Sequence, residues 1–203
     1  MTKLDLKKEW KEFYTASQRK PKIVQVPARD ILAIDGRGDP NTSPDYQAAV
    51  EALYSLSYTL KFMHKRQGTD YTVLPLEGLW WADDYQAFAE GDRENWQWTA
   101  LIVQPDFVSA RDVALAIDQL KAKGKDLPAL PQVRYERWEE GPAAQIMHLG
   151  PYDAEAETIA RLHEFIQEQG LSLTGKHHEI YLSDPRRTAP EKLKTIIRQP
   201  VSR

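Results

Sequence analysis

One order of elements is legible twice in this chain, and it restricts the fold more than any single motif does. Ile23 to Val26 and Ile31 to Ile34 are β-branched runs meeting at Pro27, which reads as a hairpin, and a glycine-bearing loop, Gly36 to Pro40, follows. Ser43 and Pro44 then open a helix predicted from about Tyr46 to Lys65, with Ala49, Leu53, Leu56, Leu60 and Met63 as its apolar stripe. Tyr71 to Trp81 and Trp96 to Val103 read as strands on either side of an acidic loop, Asp83 to Asn95. Val133 to Trp138 and Ala143 to Leu149 suggest a second hairpin. A helix from Asp153 to Gln169 stopped by Gly170, and strands at Lys176 to Leu182 and Ile196 to Val201, complete the second series.

The pattern of hairpin, helix, strand and strand predicts an α+β fold of tandem duplicated units. Such units would be related by pseudo-twofold symmetry, with antiparallel sheets flanked by helices and a ligand crevice between the halves. A helix over Ser109 to Lys123 leads into the Gly-, Lys- and Pro-rich stretch Gly124 to Pro131, the best place for a division. The expected organisation is a helical arm at residues 1–20, carrying Leu6, Trp10 and Phe13. A first half at 21–124 and a second at 125–203 together make one domain.

The composition excludes several functions. The 203 residues carry a net charge of −3, so there is no basic stripe to neutralise phosphates, and no helix-turn-helix or zinc-finger spacing occurs. Nucleic acid is not an expected partner, and no DNA-binding domain is read. No cysteine is present, which removes disulfides, thiolate metal sites and a cysteine nucleophile. The first residues lack an uninterrupted apolar segment, so neither a signal peptide nor a membrane span is expected, and cytoplasmic residence is the default. No Gly-x-Ser-x-Gly elbow, phosphate loop or dinucleotide fingerprint appears. No cofactor is expected.

The chemistry concentrates in the alternating run around Glu179. In a strand, His177, Glu179 and Tyr181 share one face while His178, Ile180 and Leu182 share the other. A carboxylate placed among aromatics must meet a cation or a hydrogen bond, or else hold a proton. Glu77 occupies a similar place in the first series, with Trp80 beyond it, and Trp98 lies on the returning strand. Tyr54 and Tyr58, one helical turn apart, offer hydroxyls and ring faces, although such a stripe also suits a core. His148 reads either as structural or as pocket-lining. His177 and Glu179 are two possible metal ligands on one face, too few for zinc, so no metal site is assigned.

Several stretches taken in order resemble the GyrI-like small-molecule-binding proteins: Tyr54 to Tyr58, Asp70 to Gly78, Gln104 to Phe107, Gln145 to Asp153, Glu179 to Pro185 and Pro190 to Thr195. The resemblance runs from about residue 21 to the end. It implies kinship with the effector domains of multidrug-responsive regulators, where a buried glutamate in an aromatic cage receives planar cationic drugs; Glu179 is the matching residue. It also implies kinship with standalone members that protect cells by hydrolysing strained, cyclopropane-bearing alkylating agents.

The expectation is therefore a protein that binds aromatic, often cationic xenobiotics and hydrolyses such electrophiles. Glu179 and Tyr54 are the catalytic candidates, and Glu77, Tyr58, Trp80, Trp98, Tyr181 and His148 are the ligand-binding ones. The competing expectation is a sequestrant without turnover, or a modulator of a protein partner such as DNA gyrase.

Overall fold

A computed structural model of the chain describes residues 3–82 and 93–203. Its elements run α1 (Leu6–Glu9), α2 (Lys11–Tyr14), β1 (Lys22–Val26), β2 (Arg29–Arg37), α3 (Pro44–Arg66), β3 (Glu77–Trp81) and β4 (Gln97–Val103). They continue as α4 (Ala110–Ala122), β5 (Arg134–Trp138), β6 (Gly141–Leu149), α5 (Ala156–Glu168), β7 (Ser172–Leu173), β8 (His177–Tyr181) and β9 (Lys194–Ser202). The fold is α+β, with antiparallel sheets flanked by helices. Residues 83–92 of the expected acidic loop lie outside the described residues, and Arg93–Asn95 form a single 3₁₀ turn.

Local chemistry explains the helices. Ser43 caps α3 by accepting the Tyr46 amide, Pro44 takes the first helical position, and the buried side carries Ala49, Leu53, Leu56, Leu60 and Met63. In α4, Ser109 and Asp112 form a reciprocal capping box that satisfies two amides otherwise left without partners. Beyond α5, Gly170 adopts a positive φ of 68°, the left-handed conformation that ends a helix and that glycine reaches without a Cβ clash.

The chain contributes to two units, one of residues 1–9, 29–76 and 81–138, the other of residues 10–28, 77–80 and 139–203. In the first unit β2 is central, paired antiparallel with β4 on one side and β5 on the other. The long helix α3 packs with α4 and on β2 and β4.

In the second unit the order is β1, β6, β9, β8, β3, all antiparallel, with β7 also on β9. Period-two alternation gives this sheet two different faces. One carries Ala144, Ile146, Ile197 and Val201 against Leu162 and Ile166 of α5. On the other, Val24, Val26 and Ala143 pack with Phe13 of α2. Each fully buried Leu or Ile here contributes about 1.5–3 kcal/mol.

The two expected hairpins do not form. β1 pairs with β6 and β2 with β5, so the strands on either side of Pro27, and those on either side of Glu139 and Glu140, go to different partners. The connections explain why. A two-residue hairpin of the favoured types needs positive φ in its turn. Proline is locked at negative φ, and among the described residues no non-glycine residue is positive.

Candidate functional site

In the second unit, the antiparallel register of β3, β8 and β9 decides which side chains meet. Gly78 stands opposite Glu179 and Trp80 opposite His177, while Glu179 faces Ile197 and Tyr181 faces Thr195 across the other edge. Opposed residues share a face, so Trp80, His177, Glu179, Tyr181 and Thr195 stand on the side covered by α5. His148 joins them, since it opposes Thr195 from β6.

Glu179 is tightly held there. Its Oε1 accepts from His177 Nε2 at 3.1 Å and its Oε2 from the Tyr181 hydroxyl at 2.7 Å. Trp80 Nε1 donates in turn to the Tyr181 oxygen at 3.0 Å. The absence of a side chain at Gly78 permits this: a Cβ would lie 2.6 Å from Trp80 Nε1 and 2.9 Å from the Tyr181 oxygen. The Tyr152 ring approaches Tyr181 edge-on at 5.6 Å and is 36% exposed, so the aromatic cluster reaches the surface.

The segment before α5 brings a second carboxyl. Glu155 is only 4% exposed and lies against Glu179. His148 positions that segment, its Nδ1 bonded to Thr158 Oγ1 at 2.9 Å and its Nε2 to the Pro151 carbonyl at 3.1 Å. A carbonyl only accepts, so Nε2 carries the hydrogen and Nδ1 receives one from Thr158.

The two carboxyls are driven apart in acidity. Burial pushes Glu155 up, the neighbouring Glu179 charge and its contact add to that, and the group reaches about 10. Burial also opposes ionisation of Glu179, but the His177 hydrogen bond and charge, with Tyr181 and Glu155, outweigh it and hold Glu179 below the usual range. The sequence left open whether such a carboxyl meets a cation or holds a proton; here burial favours the proton on Glu155, and hydrogen bonds favour the ionised form of Glu179.

Glu77, expected beside the ligand through its likeness to Glu179, stands on the opposite face, aligned with Ile180. It is fully buried and accepts from Tyr14 at 2.8 Å and from His178 Nε2 at 2.9 Å. His178 Nδ1 donates to Glu140 Oε1 at 2.7 Å. Both partners are carboxylates, so His178 carries two ring hydrogens and a positive charge.

Arg198 completes the array, reaching Glu140 Oε2 at 2.9 Å, Gln145 Oε1 at 3.0 Å and the Phe13 carbonyl at 2.6 Å. Burial disfavours the charges of both His178 and Glu140. The two carboxylates nonetheless hold His178 above the usual histidine range, and His178 with Arg198 hold Glu140 down to about 2. Two anions and two cations thus meet on this face and hold the N-terminal segment through Tyr14 and the Phe13 carbonyl.

The other candidates lie in the first unit. Tyr54 and Tyr58 stack at 6.4 Å and line a cavity of about 340 Å³ between α3 and α4. Its rim carries Arg66, Lys123 and Lys125 and, among the described residues, no acidic side chain. Trp98 is 1% exposed, its ring filling the space above Gly36 and meeting the Tyr46 ring edge at 5.0 Å. Basic side chains thus line this cavity, whereas the Glu179 carboxylate belongs to the second unit.

Sequence reasoning missed Glu155 because it fell in the first turn of the helix read from Asp153, where a glutamate is ordinary; the helix starts at Ala156, and Glu155 makes no side-chain cap bond. Among the described residues no group of three or more His, Asp or Glu side chains is placed to hold a metal ion. No described helix is long and apolar enough to cross a membrane.

The fold agrees with what the chain is similar to. The sequence matches the GyrI-like small molecule binding domain over residues 19–202, and the chain belongs to that family. An uncharacterized conserved protein from Listeria innocua shares 42% identity and superimposes with a TM-score of 0.92, covering 98% of this chain and 100% of the other. A hydrolase from Listeria innocua shares 41% identity at a TM-score of 0.87, with the same coverages. The C-terminal domain of EcmrR, at 14% identity, covers 91% of this chain and 98% of its own with a TM-score of 0.57, a likeness of fold alone. No curated protein matches the chain.

Proposed function

We propose that the Glu179 face binds aromatic, cationic small molecules and hydrolyses those that carry a strained, electrophilic ring. One observation carries the binding half: a largely buried carboxylate kept ionised by His177 and Tyr181 beside Trp80, Tyr152 and Tyr181. A charge held out of water gains most from a cation that enters with it, and each ring face adds roughly 0.5–2 kcal/mol.

The hydrolytic half is supported by similarity to a Listeria hydrolase of nearly the same sequence length. It also has a chemical basis. An ionised carboxylate can take a proton from water as the water oxygen bonds to the ring carbon and the strained carbon–carbon bond breaks, its electron pair passing to a conjugated carbonyl.

The test is overnight incubation with a cyclopropane-bearing alkylating agent, followed by mass analysis of the small molecule. A gain of one water at many equivalents per protein is the expected result. An unchanged compound, or protection limited to one equivalent, would replace hydrolysis with sequestration.

A further inference from the structure

Glu155 is a carboxyl of this face with no part in the binding and hydrolysis proposed above. It is 4% exposed, it comes from the segment that His148 fixes, and it meets Glu179 side by side. Two carboxyls in contact away from water do not both ionise, because the repulsion between like charges rises as the dielectric falls. Glu179 already receives His177 and Tyr181, donors that favour its charged form, so the remaining proton belongs on Glu155.

A second observation concerns the oxygens. Glu155 Oε1 and Thr195 Oγ1 are both buried, and neither has a hydrogen-bond partner among the described residues. Thr195 lies beside Glu155 but short of hydrogen-bond geometry. Buried oxygens without partners are rare and unfavourable, and two of them beside an ionised carboxylate form an acceptor set for a group that brings hydrogens.

Facing groups come from several neighbouring elements. β8 supplies His177, Glu179 and Tyr181, β6 supplies His148, and the segment before α5 supplies Tyr152. His163 of α5 approaches His177, and burial followed by the His177 charge holds it below the usual histidine range. Of these, His177 bears on the pair through its contact with Glu179.

We propose that Glu155 is a second ligand-facing carboxyl: it shares one proton with Glu179, so the pair carries a single negative charge, and its free oxygen with Thr195 Oγ1 accepts hydrogens from the ligand. This rests on the cation-binding reading and narrows its ligand class. The favoured ligand is an aromatic monocation whose charge sits on an N–H group, such as a protonated ring nitrogen or an amidinium. A quaternary ammonium of the same shape has the charge but no hydrogen to give.

Two measurements test it. The first needs no ligand. Infrared difference spectra of wild type against Glu155→Gln at neutral pH should show the carbonyl stretch of a protonated carboxylic acid in wild type only. Its absence from wild type overturns the proposal.

The second is calorimetric titration with proflavine, whose ring nitrogen is protonated at neutral pH, and with its ring-N-methyl counterpart. Wild type should bind proflavine roughly 10-fold more tightly, the worth of a charge-assisted hydrogen bond. Glu155→Gln, neutral and equally able to accept, should keep both affinity and preference, while Glu155→Leu should lose the preference. Equal binding of both dyes by wild type, or a loss of about 10-fold in Glu155→Gln, overturns the proposal while leaving cation binding intact. Failure of wild type to bind either dye counts against the underlying reading instead, and the infrared result then decides the proton's place.

Discussion

Glu140→Ala is expected to destabilise the protein by about 3–5 kcal/mol, the usual effect of removing one member of a buried ion pair. Glu140 has no exposed side-chain surface and neutralises both His178 and Arg198. Without it, Arg198 retains its charge beside only neutral acceptors, Gln145 and the Phe13 carbonyl. Urea denaturation at neutral pH measures the loss, and a change below about 1 kcal/mol would show that the array contributes little.

The same group sets the acid limit. Its folded pKa lies near 2 against 4.5 for the unfolded chain, so its contribution is present above about 4.5 and is lost as pH falls towards 2.

Glu155→Gln should have the opposite character and show itself as pH rises above about 5. The wild-type carboxyl titrates near 10 in the folded protein and near 4.5 when unfolded. A raised pKa gives stability that is complete below about 4.5 and is lost as pH rises through about 10. The slope in between is at most about 1.4 kcal/mol per pH unit.

Glutamine does not titrate, so the variant should gain on wild type by roughly 4 kcal/mol between about pH 5 and pH 8. His178 also loses its contribution as pH rises through its raised folded pKa, but it does so in both proteins and cancels in the comparison. Thermal or urea unfolding across this range reads the difference. Parallel curves for the two proteins would show that Glu155 is ionised in the folded state.

Local signals in the sequence were reliable where the chain itself supplies the chemistry. Ser43 and Pro44 start α3, Gly170 follows α5, and the alternation at 177–181 places His177, Glu179 and Tyr181 on one face, as period two requires. Pairing was not legible, because which strand lies beside β1 depends on contacts more than a hundred residues away. The apparent hairpin at Pro27 is an exchange between β6 and β5.

Glu77 looked like a counterpart of Glu179 because both stand in late strands of a repeated series. The β3–β8 register sets Glu77 opposite Ile180, and therefore on the other face. Tyr14 and Glu140, which complete its network, belong to segments with no motif of their own. The site's second carboxyl was hidden for a similar reason, since Glu155 is brought to Glu179 only by the way the segment before α5 lies on the sheet.

The decisive measurement is a tryptophan-fluorescence titration with proflavine, run on wild type and on the double variant Glu155→Gln, Glu179→Gln, which leaves neither carboxyl able to ionise. Saturable one-to-one quenching in wild type, weakened at least 10-fold in the double variant, is expected if a single negative charge at this face receives the cation. Quenching of equal affinity in both proteins would place ligand recognition away from Glu179 and contradict the functional reading.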